Sequence, residues 1–232
     1  MGTDDFFKKR KMSGRQPRKS KNLSFRSVKW LLISEGTVTE PIYFAYLIGL
    51  FKNRYGENMN IELVAKGKGK NTVSLVESVN QHIVGNIMYE KVFVVFDKDS
   101  FSNHNFNNAI NLALKSNYIC LWSNQCIELW FLLHHIYFDS DIDRSIYYSK
   151  LSNLMGNGPS YGKDNENIIS YFQQLHLDDL KSIKKAYGNS IKLYNNHSKL
   201  GVSYCKMSPC TTVFMFIQEI EKSTGINFIS DN

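Results

Sequence analysis

The chain has 232 residues, 43% hydrophobic and 13% aromatic, which is enough to bury a full core and excludes a disordered or fibrous protein. Its 28 Lys/Arg and 21 Asp/Glu give a net charge of +7, yet ten of the cations lie in residues 1–29 beside only Asp4 and Asp5. The remaining residues carry 18 basic and 19 acidic side chains, so the body is near neutral and the basicity belongs to a tail. Cys120, Cys126, Cys205 and Cys210 have neither a C-x2-C spacing nor a paired histidine run, which argues against structural zinc and for free thiols in a reducing cytosol. The N-terminal charges have no apolar stretch behind them, and the longest apolar runs are short and interrupted. A cytoplasmic protein without a signal peptide or a membrane partner is expected.

Residues 1–27 are rich in Lys, Arg, Ser and Gly and form a flexible arm, read either as a solubilising tail or as an electrostatic arm for nucleic acid through Lys8, Lys9, Arg10, Lys11 and their neighbours. Order begins with Val28, Trp30, Leu31, Leu32 and Ile33, a continuous apolar run of the kind a strand shows when both faces are covered. Ser34-Glu35-Gly36 turns the chain. Thr37 or Thr39 then caps a helix with Glu40 and Pro41 in its first turn, ending at Gly56. Ile61 to Ala65 form the next strand. The loop Lys66-Gly67-Lys68-Gly69-Lys70 follows, and a helix runs through Val73, Val76, Val79 and Ile83. Lys91 to Phe96 are a third strand, ending at Asp97-Lys98-Asp99, and a helix covers about 106–115. Tyr118 to Trp122 make a fourth strand and Ile127 to His135 another apolar helix.

Alternating strands and helices imply right-handed crossovers and an open, mostly parallel α/β sheet with helices on both faces, over residues 28–138. From 139 to 232 Tyr, Asn, Ser and Lys dominate and strands are no longer evident. Apolar spacings around 168–175, 180–187 and 213–220 predict a helical appendage packed on the core. Its last helix is placed from Ser208-Pro209, with Pro in the first turn.

Ligands of open parallel sheets bind outside the carboxyl ends of the strands. Glu35 and Glu40 follow the first strand there, Asp97 and Asp99 the third, and Glu128 lies just past the fourth. An extended segment would project Asp97 and Asp99 to the same side. Hard oxygen donors at one edge suit Mg²⁺ or Mn²⁺, with positions left for water and a substrate phosphate. The competing reading is a set of solvated or helix-capping acids.

Four blocks carry a family resemblance. Ser34-Glu35-Gly36-Thr37-Val38-Thr39-Glu40-Pro41-Ile42-Tyr43-Phe44 resembles the E-G-x-x-T-E-x-x-Y-F opening of RloB-like proteins, and Val94 to Asp99 their D-x-D strand. Ser123 to His134 resembles their S-N-P-x-x-E-x-W-x-L-L-H block, with Gln125 in the place of proline. Ser208-Pro209-Cys210-Thr211-Thr212 is similar to a late N-P-x-T segment, with Ser208 for asparagine. The resemblance implies a Toprim-like, Rossmann-like fold that performs divalent-metal phosphoryl transfer, and a nuclease acting on DNA or RNA in antiphage defence beside an AAA-type ATPase. It makes Asp97 and Asp99 metal ligands, Glu35 a general acid/base or further ligand, and Glu128 a supporting ligand. The alternatives are a catalytically silent nucleic-acid-binding or ATPase-adaptor subunit, and a nucleotidyltransferase. Homo-oligomerisation stays open.

Supporting positions keep two readings each. Glu40 favours its helix N-terminus or backs the metal site. Asn124 orients Glu128 or holds the turn. Lys98 contacts phosphate or neutralises its acidic neighbours. Lys66, Lys68 and Lys70 lack the spacing of a nucleotide-binding phosphate loop, and either grip a nucleic-acid backbone or sit in solvent. His134 and His135 read as core or capping residues, with one approach to the metal site left open. The Trp122, Trp130 and Phe131 cluster is packing between sheet and helix.

Overall fold

The structure is a computed structural model, and it describes residues 28–56, 59–68, 72–83, 88–99, 101–156, 158, 161–162, 165–178 and 180–229. The N-terminal arm, with Lys8, Lys9, Arg10 and Lys11, and Lys70 of the glycine-rich loop lie outside the described residues.

The β-rich apolar runs form β1 (Val28–Ser34), β2 (Ile61–Gly67), β3 (Lys91–Asp97) and β4 (Ile119–Asn124), all parallel, with the short β5 (Cys210–Thr211) antiparallel at one edge. The order is β2-β1-β3-β4-β5. Side chains alternate across the sheet as the pleat requires. Trp30, Leu32, Phe93, Val95 and Leu121 belong to the core on one face, and Leu31, Ile33, Val94, Phe96, Cys120 and Trp122 to that on the other. The second face is covered by α2 (Thr72–Ser78) and α3 (Asn103–Lys115), whose Leu75, Val76, Phe106, Ala109 and Ile110 pack there. The first is covered by α1 (Thr39–Tyr55), α4 (Glu128–His135), α5 (Arg144–Leu154), α6 (Asn165–Leu175), α7 (Lys181–Lys199) and α8 (Phe214–Thr224). The C-terminal half therefore shares a core with the sheet: Phe216 packs on Trp30, Phe44 and Phe93 at ring separations of 5.7, 4.8 and 5.0 Å.

The structure departs from the expected elements in five places, the first being that α2 stops at Ser78, short of the expected Ile83, and gives way to a 3-10 turn at Val79–Gln81. Neither Thr37 nor Thr39 caps α1; Val38 is the N-cap, with a side chain that accepts no capping bond, and Glu40 from the first turn accepts from the Gly36 amide at 3.3 Å instead. Pro209 does not open the last helix. It leads into β5, which pairs Thr211 with Ser123 and Cys210 with Asn124, and α8 begins only at Phe214. α7 runs to Lys199, well past the apolar pattern ending at 187, because its second half buries just Ser190 and Leu193. α5 carries no apolar stripe beyond Tyr147 and Leu151, too faint a period to predict a helix.

The chain leaves β1 to one side for β2, then returns past β1 to β3 on the other side. The crevice between the carboxyl ends of β1 and β3 is thus the point where strand order reverses, the usual ligand position in such sheets.

Candidate active site

Glu35 leaves β1 at this crevice, its amide donating to the Val95 carbonyl of β3 at 2.9 Å. One cleft of about 260 Å³ is lined jointly by Glu35, Gly36, Thr37, Val38, Thr39, Glu40, Asp97 and Arg144. The acids separated by some sixty residues of sequence therefore meet at one edge. Backbone packing makes this approach close. A Cβ on Gly36 would lie 1.9 Å from the Glu40 carboxylate, and one on Gly67 only 2.3 Å from the Thr37 Cα. The segments after β1 and β2 come this close because residue 67 has no side chain.

The electrostatics follow from crowding. The Glu35 carboxyl is pushed up to about 7, chiefly by burial, with the Asp97 backbone amide opposing and Glu40 and Asp99 adding repulsion. Its Oε2 is buried without a hydrogen-bond partner. Asp97 is buried and lies well above the ordinary carboxylate range through burial, then Glu40 and Glu128; Arg144 relieves part of this. Glu128 is fully buried at the start of α4, where it accepts from the Tyr161 hydroxyl at 2.8 Å.

Arg144, the first residue of α5, was not among the sequence-predicted positions. Its guanidinium lies 2.6 Å from Asp99 Oδ2 and 3.9 Å from Asp97 Oδ2. Burial tends to lower its pKa, but Asp97, Glu128 and Asp99 outweigh this and keep it charged. The signal that would have found it was Asp143, whose carboxylate accepts from the Ser145 amide at 2.8 Å as a helix N-cap, four residues before Tyr147 and eight before Leu151.

The D-x-D pair is brought together, but not as an extended segment. β3 ends at Asp97, and the turn is fixed by the Lys98 amide on Ser123 O and the Asp99 amide on Gln125 O at 2.8 and 3.1 Å. Asp99 takes a left-handed φ of 38°, which Asp tolerates better than most residues. Lys98 turns its ammonium to the Phe101 carbonyl. Asn124 donates to Cys205 O at 3.1 Å, holding the 203–207 segment to the end of β4. Glu40 serves the loop at the Gly36 amide and also lines the cleft. Lys66 and Lys68 sit beside the end of β1, with the Lys68 amide on Ser34 O at 2.9 Å. The histidines lie at the other end of α4: His134 Nδ1 meets the Trp130 carbonyl at 2.9 Å and its ring faces His176 at 5.0 Å.

Among the described residues, no group of three or more His, Cys, Asp or Glu is arranged to hold a metal ion. The donor chemistry nonetheless suits a hard divalent cation: Glu35 and Asp97 share the cleft with raised pKa values, Asp99 stands beside them on Arg144, and the orphaned Glu35 Oε2 is what such an ion would relieve. A guanidinium now bridges the two aspartates.

Fold and cleft define the class: an open α/β sheet with an acidic pocket at its strand-order reversal. The sequence model of the RloB-like proteins matches residues 30–220, most of the chain. The chain belongs to the RloB-like protein family. Neither curated proteins nor solved structures include a match to it. No helix among the described residues is long and apolar enough to cross a membrane.

Proposed function

We propose that the protein is a Toprim-like, Mg²⁺-dependent nuclease that hydrolyses phosphodiester bonds of DNA or RNA as the effector of an antiphage system with an ATPase partner. The observation that carries this is the meeting of Glu35, Glu40 and Asp97 in one cleft with Arg144, which also pairs with Asp99, and with the Glu35 carboxyl raised to about 7. A group half-protonated near neutral pH is matched to general acid/base work. Asp97 and Asp99, with Glu35 and Glu128 in support, would hold Mg²⁺ or Mn²⁺. Bound there, the ion supplies Lewis-acid polarisation of the scissile phosphate and a lowered pKa for water.

The chain's own residues do the rest. Glu35 Oε2 takes a proton from the attacking water as its oxygen bonds to phosphorus. Arg144, released from the aspartates, steadies the charge that gathers on the non-bridging phosphate oxygens, the bond from phosphorus to the leaving oxygen breaks, and that oxygen takes its proton from solvent water. Partner and defence role rest on the family resemblance.

A second reading has its own observation. The guanidinium bridging Asp97 and Asp99 favours a catalytically silent binding subunit, since it already neutralises the pair. One experiment separates them: plasmid, single-stranded DNA and total tRNA are incubated with the protein and Mg²⁺ or Mn²⁺, with and without EDTA. Metal-dependent cleavage lost in Asp97→Ala supports the nuclease. Cleavage undiminished in that variant removes the metal role, and binding without cleavage supports the silent subunit.

A further inference from the structure

α7 carries five lysines and no carboxylate over 19 residues. Since residues 30–232 hold 18 basic and 19 acidic side chains, the body outside α7 stands at 13 against 19. The helix is therefore the most lysine-rich of the described helices, and with the 66–70 loop it stands out from an otherwise acidic body. Its buried face is Ser182, Ile183, Ala186, Ser190 and Leu193. Its exposed face is Lys181, Lys185, Gly188, Lys192, Asn195 and Lys199, at steps of three and four residues that make a single ridge. At 1.5 Å per residue the ridge is about 27 Å long.

These four lysines make no ion pair with a carboxylate among the described residues. Lys185 donates to the His135 carbonyl at the end of α4, and Lys192 lies 4.1 Å over the Tyr137 ring. α7 runs antiparallel to α4. Asn189 Nδ2 meets Leu133 O at 2.9 Å, and farther along His197 Nε2 meets Pro209 O at 3.1 Å, beside β5 and the carboxyl end of β4. The ridge thus begins at the far end of α4 and ends beside β5, two strands from the β3 that carries Asp97.

The cleft itself, lined by Glu35, Glu40 and Asp97, repels phosphate, as do the exposed Asp139, Asp141 and Asp143 on the segment leading to Arg144. A polyanionic substrate has to be held by a surface elsewhere. We infer that the lysine ridge of α7 is the track for a nucleic-acid phosphate backbone that delivers the strand to the cleft. This deepens the phosphodiesterase reading and rests on it for the direction of delivery. A lipid surface fits less well. A helix lying on a bilayer inserts an apolar face, whereas that of α7 is committed to the core, and the exposed Leu177 and Leu200 stand beyond its ends. Gly188, midway, leaves a gap between Lys185 and Lys192 where a backbone can approach.

The test is fluorescence anisotropy on the full chain in EDTA, so that binding is read without cleavage, using a labelled single strand of about 20 nucleotides as DNA and as RNA. The fourfold variant Lys181→Gln, Lys185→Gln, Lys192→Gln and Lys199→Gln is compared with Asp97→Asn. The lysine variant is expected to bind about tenfold or more weakly near physiological salt, with a log–log salt slope shallower by about 2–3. Its thermal transition should fall by at most a few degrees, because Gln matches Lys in helix propensity and only the Lys185–His135 and Lys192–Tyr137 surface contacts are lost. Asp97→Asn should bind at least as well as the parent. An unchanged affinity and slope in the lysine variant overturns the inference, as does lysine-dependent binding of phosphatidylserine vesicles without oligonucleotide binding. If the parent binds through these lysines but never cleaves, the nuclease reading fails and the track stands. If it cleaves and the lysine variant binds normally, the track fails and the nuclease reading stands.

Discussion

The two ends of α4 bury ionisable groups to opposite effect. Beside its N-terminus, where Glu128 is fully buried, Asp97, Glu35 and Arg144 line an open cleft, and burial with mutual repulsion lifts the carboxyl pKa values of Asp97 and Glu35. At its C-terminus His134 and His176 are buried among Trp130, Tyr43, Tyr46 and Phe172, and burial depresses both pKa values. Each imidazole there is tied by Nδ1, His134 to the Trp130 carbonyl and His176 to Ser182 Oγ at 3.2 Å. Perturbed ionisation by itself therefore marks no site. What separates the ends is access, and a cation placed among charges of one sign.

The largest expected effect breaks the histidine end. Trp130 is fully buried, donates to the Tyr43 hydroxyl at 2.6 Å and lies against His134. Trp130→Ala should cost about 3–5 kcal/mol in denaturant unfolding, and a cost below about 1 kcal/mol would show that this cluster is not the structural end. Next comes acid. The folded pKa of His176 is lowered to about 3 from an ordinary 6.5, so the unfolded chain binds its proton first and stability is lost as pH falls below 6.5. By pH 4.5 the loss from His176 alone is about 3 kcal/mol, and His176→Phe should flatten that limb by one proton's slope in pH-dependent melting. The smallest effect has the opposite sign. Asp97 is held above its ordinary pKa, so its charge destabilises the fold at high pH and the penalty fades as the group protonates. Asp97→Asn should therefore raise stability at pH 8 by about 1 kcal/mol, with the gain shrinking on acidification; a loss at pH 8 would mean that the Arg144 pairing outweighs the crowding.

Much of the acidic end was legible beforehand, because central strands covered on both faces read as unbroken apolar runs, and Glu35 and Asp97 mark where those runs stop. Position at a strand end is a sequence property. Side-chain direction beyond it is not: Asp99 was expected alongside Asp97 in extended chain, yet the backbone turns at once, and Lys98 bends back to Phe101. Arg144 was invisible because α5 buries just Tyr147 and Leu151, leaving a polar, tyrosine-rich stretch without a period. The same weakness hid the second half of α7. β5 escaped because two residues are too few for alternation, and the proline before it imitated a helix start. Roles of the lysines at 66 and 68 and of Asn124 needed coordinates, since each depends on a partner distant in sequence.

The contact between Gly36 and Glu40 means that the mouth of the pocket is carved by subtraction. The space an alanine methyl would fill is already taken by a carboxylate 1.9 Å away. Adding one carbon at residue 36, a position with no functional group of its own, would evict that acid into the opening and redraw its charge pattern, so the smallest residue of the rim governs what its neighbours can do.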